Sequence, residues 1–298
     1  MPDRESGVPG FVALTLLALA ALLMLPAIAA AQPALETGYG GQYHWGFAAF
    51  MGSGTYQQDG VGTMSLFSVQ PSFTLRTFDG PAGSLRRGMV QLKIPLFIGL
   101  GDWTTSDLLK GHFVNNISLF GIAPRLEMEI PTSPRLSFRA YIQVGVGRQF
   151  QGASETVGML GLGVKARSSL TLGATDLFLL DGFDWYIHTS PLSGPEGIFT
   201  LRNGAEWQVP LWTIKAWKEP LLLRLHLINT WAVNQVSFFR SPDLAPASLG
   251  ARWEIGVAVG RKTPMRLWIF DLDRIGVAYM TGPQHSGLRF FFSSWFAR

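Results

Sequence analysis

The stretch RLSFRAYIQVGVG, residues 135–147, decides the fold. Leu136, Phe138, Ala140, Ile142, Val144 and Val146 stand at every second position, with Ser137, Arg139, Tyr141, Gln143, Gly145 and Gly147 between them. A period of two places the first set on one face of a β-strand and the second on the other. The first face is wholly apolar. The second is too polar and too glycine-rich for the dry side of a sandwich. Two faces this unlike suit a wall with lipid on one side and a crowded polar lumen on the other.

The same split recurs on both sides of that stretch. In MVQLKIPLFI (89–98), Val90, Leu92, Ile94 and Leu96 oppose Gln91 and Lys93. In FTLRNGAEWQV (199–209), Leu201, Ala205, Trp207 and Val209 oppose Arg202, Gly204, Glu206 and Gln208. Leu223, Leu225 and Leu227 flank Arg224 and His226, and Trp253, Ile255, Val257 and Val259 oppose Arg252, Glu254 and Gly256. Segments of this kind number about twelve, at 41–51, 64–77, 87–99, 112–130, 135–148, 155–167, 176–188, 197–209, 220–233, 250–260, 265–280 and 286–296. The fourth and seventh are the least regular, Asp271-Leu-Asp273 reads as a bulge or turn, and ten or fourteen strands would also fit.

Composition narrows the setting. The 298 residues are 47% hydrophobic, with 34 Gly, 21 Phe and no Cys. Residues 1–31 read as a signal peptide. The run from Phe11 to Ala31 could span a bilayer at about 20 residues, but Pro26 interrupts it, small residues close it and Gln32-Pro33 follows. Cleavage leaves 32–298 as one domain, with cleavage after Ala29 fitting nearly as well. About nine residues then separate the cleavage site from the first strand, which leaves little room for an exported passenger. No later run is long enough for a spanning helix. An apolar exported chain of this kind is either a soluble β-sandwich or a closed barrel, the only non-helical structure that satisfies every backbone group in lipid. We expect an all-β, antiparallel barrel in the outer membrane of a Gram-negative bacterium. The formal charge of +4 is too small and too dispersed for nucleic acid.

Connections support the barrel, whose periplasmic turns should be short and outer loops longer. PTSP (131–134) and RKTP (261–264) fall at the periplasmic end if the first strand rises from there. GDWTTSDLLKGH and AVNQVSFFRSPDLAPASLG then fall outside. The stretches around Asp79-Gly80-Pro81 and PLWTIKAWKEP are longer than this scheme expects, and Trp212 and Trp217 of the latter would join an interfacial girdle.

The C-terminus HSGLRFFFSSWFAR (285–298) is a last strand that pairs with the first and so removes both edges. His285, Gly287, Phe290, Phe292 and Phe296 resemble the C-terminal signal by which the barrel-assembly machinery recognises clients, although Ala297 and Arg298 follow the last aromatic. Beyond this signal, PRLEMEIPTSPRLSFRAYIQVGVGRQF, FTLRNGAEW and WEIGVAVGRKTPMRLWIFDLDRIGVAYMTGPQHSGLRFFFSSWF resemble the solitary outer-membrane autotransporter-like β-barrel family across most of 112–296. That resemblance implies a twelve-stranded translocator-like barrel without its passenger, and no catalytic residue. Outer-membrane lipids, the assembly machinery and periplasmic chaperones are the expected partners.

Chemistry is sparse. The five histidines, His44, His112, His188, His226 and His285, are scattered and no cysteine exists, so neither metal nor cofactor is expected. Gly145-Val-Gly147 and Gly161-Leu-Gly163 lack the helix a phosphate loop needs and are expected to make room for large neighbours. The enzyme alternative is a lipid hydrolase using Ser190 with His188 and Asp184 or Asp181; Ser286 beside His285 would point to the other face. The suggestive set is inward and charged. Arg125, Glu127 and Glu129 share a face, Arg139 should reach Glu127 or Glu129 across the short turn, and Lys93, Arg202, Glu206, Arg224, His226, Arg252 and Glu254 complete a roughly balanced collection. These charges either fill the lumen as a salt-bridged network or line a narrow pore.

Overall fold

Alternation becomes strand throughout the computed structural model, which describes residues 52–58, 62–81, 87–101, 117–150, 154–190, 194–216, 219–233, 251–267, 270–283 and 285–292. The fifteen segments are β1 (Gly54–Gln58), β2 (Gly62–Val69), β3 (Ser72–Asp79), β4 (Arg87–Lys93), β5 (Leu96–Gly101), β6 (Ile117–Ile122), β7 (Arg125–Pro131), β8 (Leu136–Gln149), β9 (Glu155–Leu172), β10 (Thr175–Ser190), β11 (Gly194–Ala216), β12 (Glu219–Ala232), β13 (Ala251–Leu267), β14 (Phe270–Gly282) and β15 (His285–Phe291). No helix among the described residues is long and apolar enough to cross a membrane.

The segments form twelve wall strands, because β2 with β3, β4 with β5 and β6 with β7 are halves of one strand each. Each break falls at a proline, Pro71, Pro95 or Pro124. Proline has no N–H to give the ladder, so the pairing at each break is one-sided. Ile94 N donates to Pro71 O at 2.9 Å, Ala123 N to Pro95 O at 3.0 Å and Val144 N to Pro124 O at 3.0 Å. The three prolines thus lie in two neighbouring rows across adjacent strands. Every pairing is antiparallel, β8 pairs with β9 so that consecutive wall strands are joined throughout, and β15 pairs with both β14 and β1, the last strand with the first. The sheet is a closed barrel without an edge.

Outward positions carry Phe138, Val144, Trp207, Leu225, Leu227, Ile255, Val257, Leu288 and Phe290, all exposed. Inward neighbours are buried, as the alternation required. Two inward glycines do what was expected of them. A Cβ on Gly161 would sit 2.5 Å from the Tyr186 ring and one on Gly163 2.3 Å from the Tyr141 ring, so the rings need these gaps.

The two longest connections share one end of the barrel with shorter ones such as 191–193, and the other end has links of two to four residues apart from 80–86. On the short-turn end, Ser133 Oγ accepts from the Arg135 and Leu136 amides, and Gly173 takes a φ of 63° in the two-residue link from β9 to β10. The stretches 102–116 and 234–250 separate strands at the other end. RKTP is not a turn, contrary to the sequence reading. β13 runs through it to Leu267, and the ladder absorbs it as a register shift between Gly260 and Met265. Residues 265–267 therefore belong to β13, while Asp271-Leu-Asp273 lies within β14. PLWTIKAWKEP likewise becomes strand up to Ala216, with a shift between Leu211 and Lys215, and strand again from Glu219. The expected leader 1–31 and the first expected strand, 41–51, lie outside the described residues, and the first described strand is Gly54–Gln58.

Candidate functional site

The lumen holds two unlike layers. Toward the long-loop end, Tyr56, Leu66, Phe97, Leu119, Ala123, Tyr141, Val157, Met159, Tyr186, Ile198 and Met280 form one buried apolar cluster. They come from nine of the twelve wall strands, so the cluster is a collar rather than a patch. Most members stand two to four residues from the long-loop ends of their strands.

Charges occupy the rest. On one side, Glu127 accepts from Lys93 Nζ at 2.7 Å and meets Arg139 Nε at 3.2 Å, while Arg139 Nη2 donates to Glu129 at 2.7 Å. The expected reach of Arg139 across the short turn is thus realised to both carboxylates. Arg125 donates to Gln143 Oε1 at 2.6 Å and to Tyr186 Oη at 3.0 Å, and lies over the Tyr141 ring. Tyr141 Oη donates to Asp184 Oδ1 at 2.5 Å, and Arg202 stands 3.5 Å from the other oxygen of Asp184.

On the opposite side, Glu206 is fully buried and pairs with Arg274, with Arg224 at 3.6 Å. Asp273, beside the register shift, accepts from Arg274 Nε at 2.8 Å. Glu254 takes His226 Nε2 at 3.0 Å and Arg289 Nη1 at 2.8 Å. Arg252 interacts electrostatically with Arg202, Glu254 and Arg289.

Every charged lumen candidate therefore faces inward, but the expected balance is corrected. Among the described lumen side chains Lys93, Arg125, Arg139, Lys165, Arg167, Arg202, Arg224, Arg252, Arg274 and Arg289 make ten cations against six carboxylates, Glu127, Glu129, Asp184, Glu206, Glu254 and Asp273. Lys165 and Arg167 are additions to the sequence candidates, although their alternation with Val164 and Ala166 is plain in the sequence. Asp273 and Arg274 are neighbours that both turn inward, which only the register shift explains.

At the closing strand, Gly287 lies against Tyr56, where a Cβ would meet the ring at 2.6 Å. Phe290 and Phe292 are exposed outward. His285 pairs through its backbone with Gln58 and Gly282, and Phe296 lies outside the described residues. The side chains of Trp212, Trp217 and Ser190 are also outside the description.

No family model matches the chain, and no curated protein matches it either. Solved structures do. The translocator domain of the autotransporter NalP from Neisseria meningitidis is similar at 10% identity with a TM-score of 0.52, over 79% of this chain and 82% of that one. The β domain of the Bordetella autotransporter BrkA is similar at 10% identity with a TM-score of 0.51, over 80% of this chain and 95% of that one.

This chain has the fold of an autotransporter translocator barrel.

At 10% identity the likeness speaks for the architecture alone. The hydrolase alternative finds no support in the lumen. Of its two candidate acids, Asp184 is engaged by Tyr141 and Arg202, and Asp181 is exposed while His188 is buried. No group of three potential metal ligands occurs among the described residues.

Proposed function

We propose that the protein is an outer-membrane barrel of a Gram-negative bacterium that acts as a narrow pore, closed at rest. The exposed apolar band of its outer face fits lipid, and the long connections then face outward from the cell. One observation carries the pore reading: an apolar collar sits in series with a lumen lined by charge. Apolar constrictions gate by shedding water, and charged linings set which ions enter. A barrel that needed only a filler would gain more from apolar packing, since burying charges costs desolvation that ion pairs seldom recover in full.

The fit of the collar explains why the pore rests closed. Leu66, Phe97, Leu119, Val157 and Ile198 are all almost completely buried. Thinning that layer should let water through while leaving the ion pairs beneath it intact. In planar bilayers, refolded mature protein should give small, infrequent openings, and Phe97→Ala should open more often. If Phe97→Ala, folded by heat-modifiable migration, is as silent as the parent, the charges fill the lumen structurally and the pore reading fails.

A further inference from the structure

The ladder registers place the basic residues in an order that single strands conceal. Arg139 is directly opposite Lys165, Lys165 opposite Gly182, Gly182 opposite Arg202, Arg202 opposite Thr230 and Thr230 opposite Arg252. These six positions form one cross-strand row on the inner face, from β8 to β13. Four of the six are cations, one is a hydroxyl, and the gap at Gly182 has no side chain at all.

The row climbs. Arg139 is three residues from the start of β8 at the short-turn end, whereas Arg252 is next to Ala251, the first residue of β13 at the long-loop end. Strands in barrels tilt by about 40°, so a row perpendicular to them rises along the axis. Five strand spacings of about 4.8 Å make a path of about 24 Å along the wall, of which roughly 15 Å is axial at that tilt. Successive cations are one or two strands apart, about 5–10 Å. The row is a basic ramp from near the inner opening to near the outer one.

Acidic neighbours do not cancel it. Glu129 ends the row beside Arg139, and Glu127, Asp184 and Glu254 stand in the adjacent rows, next to Arg139, Arg202 and Arg252. Yet the described lumen still carries ten cations for six carboxylates. A cleft of one dominant sign with low-dielectric walls focuses its field and concentrates counter-ions. Thr230 between two guanidiniums adds a donor to oxyanions.

We infer that this row binds and passes small inorganic anions of the phosphate and chloride type along the lumen. The inference deepens the pore reading and rests on it for transit, though not for binding.

The test uses refolded mature protein in planar bilayers under a potassium chloride gradient, and the same protein in detergent with inorganic phosphate. The zero-current potential should give a chloride-to-potassium permeability ratio several-fold above one, and adding phosphate should reduce chloride current by occupying the row. Arg202→Gln with Arg252→Gln should bring the ratio close to one. Arg202→Lys with Arg252→Lys, which keeps the charge, should preserve it and so controls for folding. Cation preference in the parent, or a ratio that the glutamine pair leaves unchanged, overturns the inference while the pore stands. If parent and collar variant both fail to conduct, the pore reading falls alone. Binding is then read from the temperature at which heat-modifiable migration is lost. A rise with phosphate over sodium chloride of equal ionic strength, abolished by the glutamine pair, supports the row, and no rise overturns it.

Discussion

From β8 to β14 every strand runs 13 to 23 residues without a break, while the three wall strands before them each split at a proline. Both sectors nevertheless keep their faces. Across Pro95 the inward set Gln91, Lys93, Pro95 and Phe97 continues in step, and across Pro124 so do Leu119, Gly121, Ala123, Arg125 and Glu127. Proline therefore removes ladder bonds without changing which side a residue faces. The comparison separates two properties of a barrel wall: side-chain alternation sets its faces, and the backbone ladder sets its stiffness.

The buried carboxylates offer the harshest way to break that comparison. Glu206 lies in the unbroken sector with Arg274 and Arg224, and Glu127 lies in the creased sector with Lys93 and pairs across its border with Arg139 of β8. Truncating one partner of a buried pair strands the other charge at a cost of about 3–5 kcal/mol. Glu206→Ala should lose about that much in urea unfolding followed by tryptophan fluorescence. Glu127→Ala should lose less, because a wall with missing ladder bonds can shift to let water reach Lys93 and Arg139. Equal losses would show that the crease gives the sector no extra compliance.

Legibility from the sequence follows the same division of properties. Faces were legible because a period of two survives everything in this chain short of a register shift, so Arg202, Glu206, Arg224, His226, Arg252 and Glu254 were all placed inward in advance. Turns were less so. RKTP carries the chemistry of a turn, yet the ladder with β14 resumes just beyond it at Met265, so the stretch becomes an irregularity inside β13 between Gly260 and Met265. That one shift also brought Asp273 and Arg274 inward together, which no alternation rule anticipates. The basic ramp was illegible for a different reason. It exists only in the register between strands, and hydrophobic patterning fixes which face is inward but not which inward residue stands opposite which.

Faces can be challenged directly on the unbroken side. Leu225 is 40% exposed between the buried Arg224 and His226. An arginine facing lipid near mid-membrane costs roughly 2–4 kcal/mol, so Leu225→Arg should lower the yield of heat-modifiable barrel and its urea midpoint. Normal assembly would mean that this position meets water, and the lipid face would have to be moved elsewhere.

The crease itself should give the smallest effect and the most local one. Val144 N donates to Pro124 O at 3.0 Å, but the reciprocal bond to the Val144 carbonyl has no donor on the proline. Pro124→Ala restores an N–H at that point. A buried acceptor left without its partner costs about 1–3 kcal/mol, and loss of the proline's constraint on the unfolded chain gives back about 0.4–1 kcal/mol. The net expectation is a gain of about 1 kcal/mol in urea unfolding, with no shift at a control such as Arg87→Ala at the exposed strand end. A gain would show that the crease is a dry defect tolerated for some use of its compliance. No gain would mean that water already serves the Val144 carbonyl, and that the creased sector is the wet side of an otherwise dry wall.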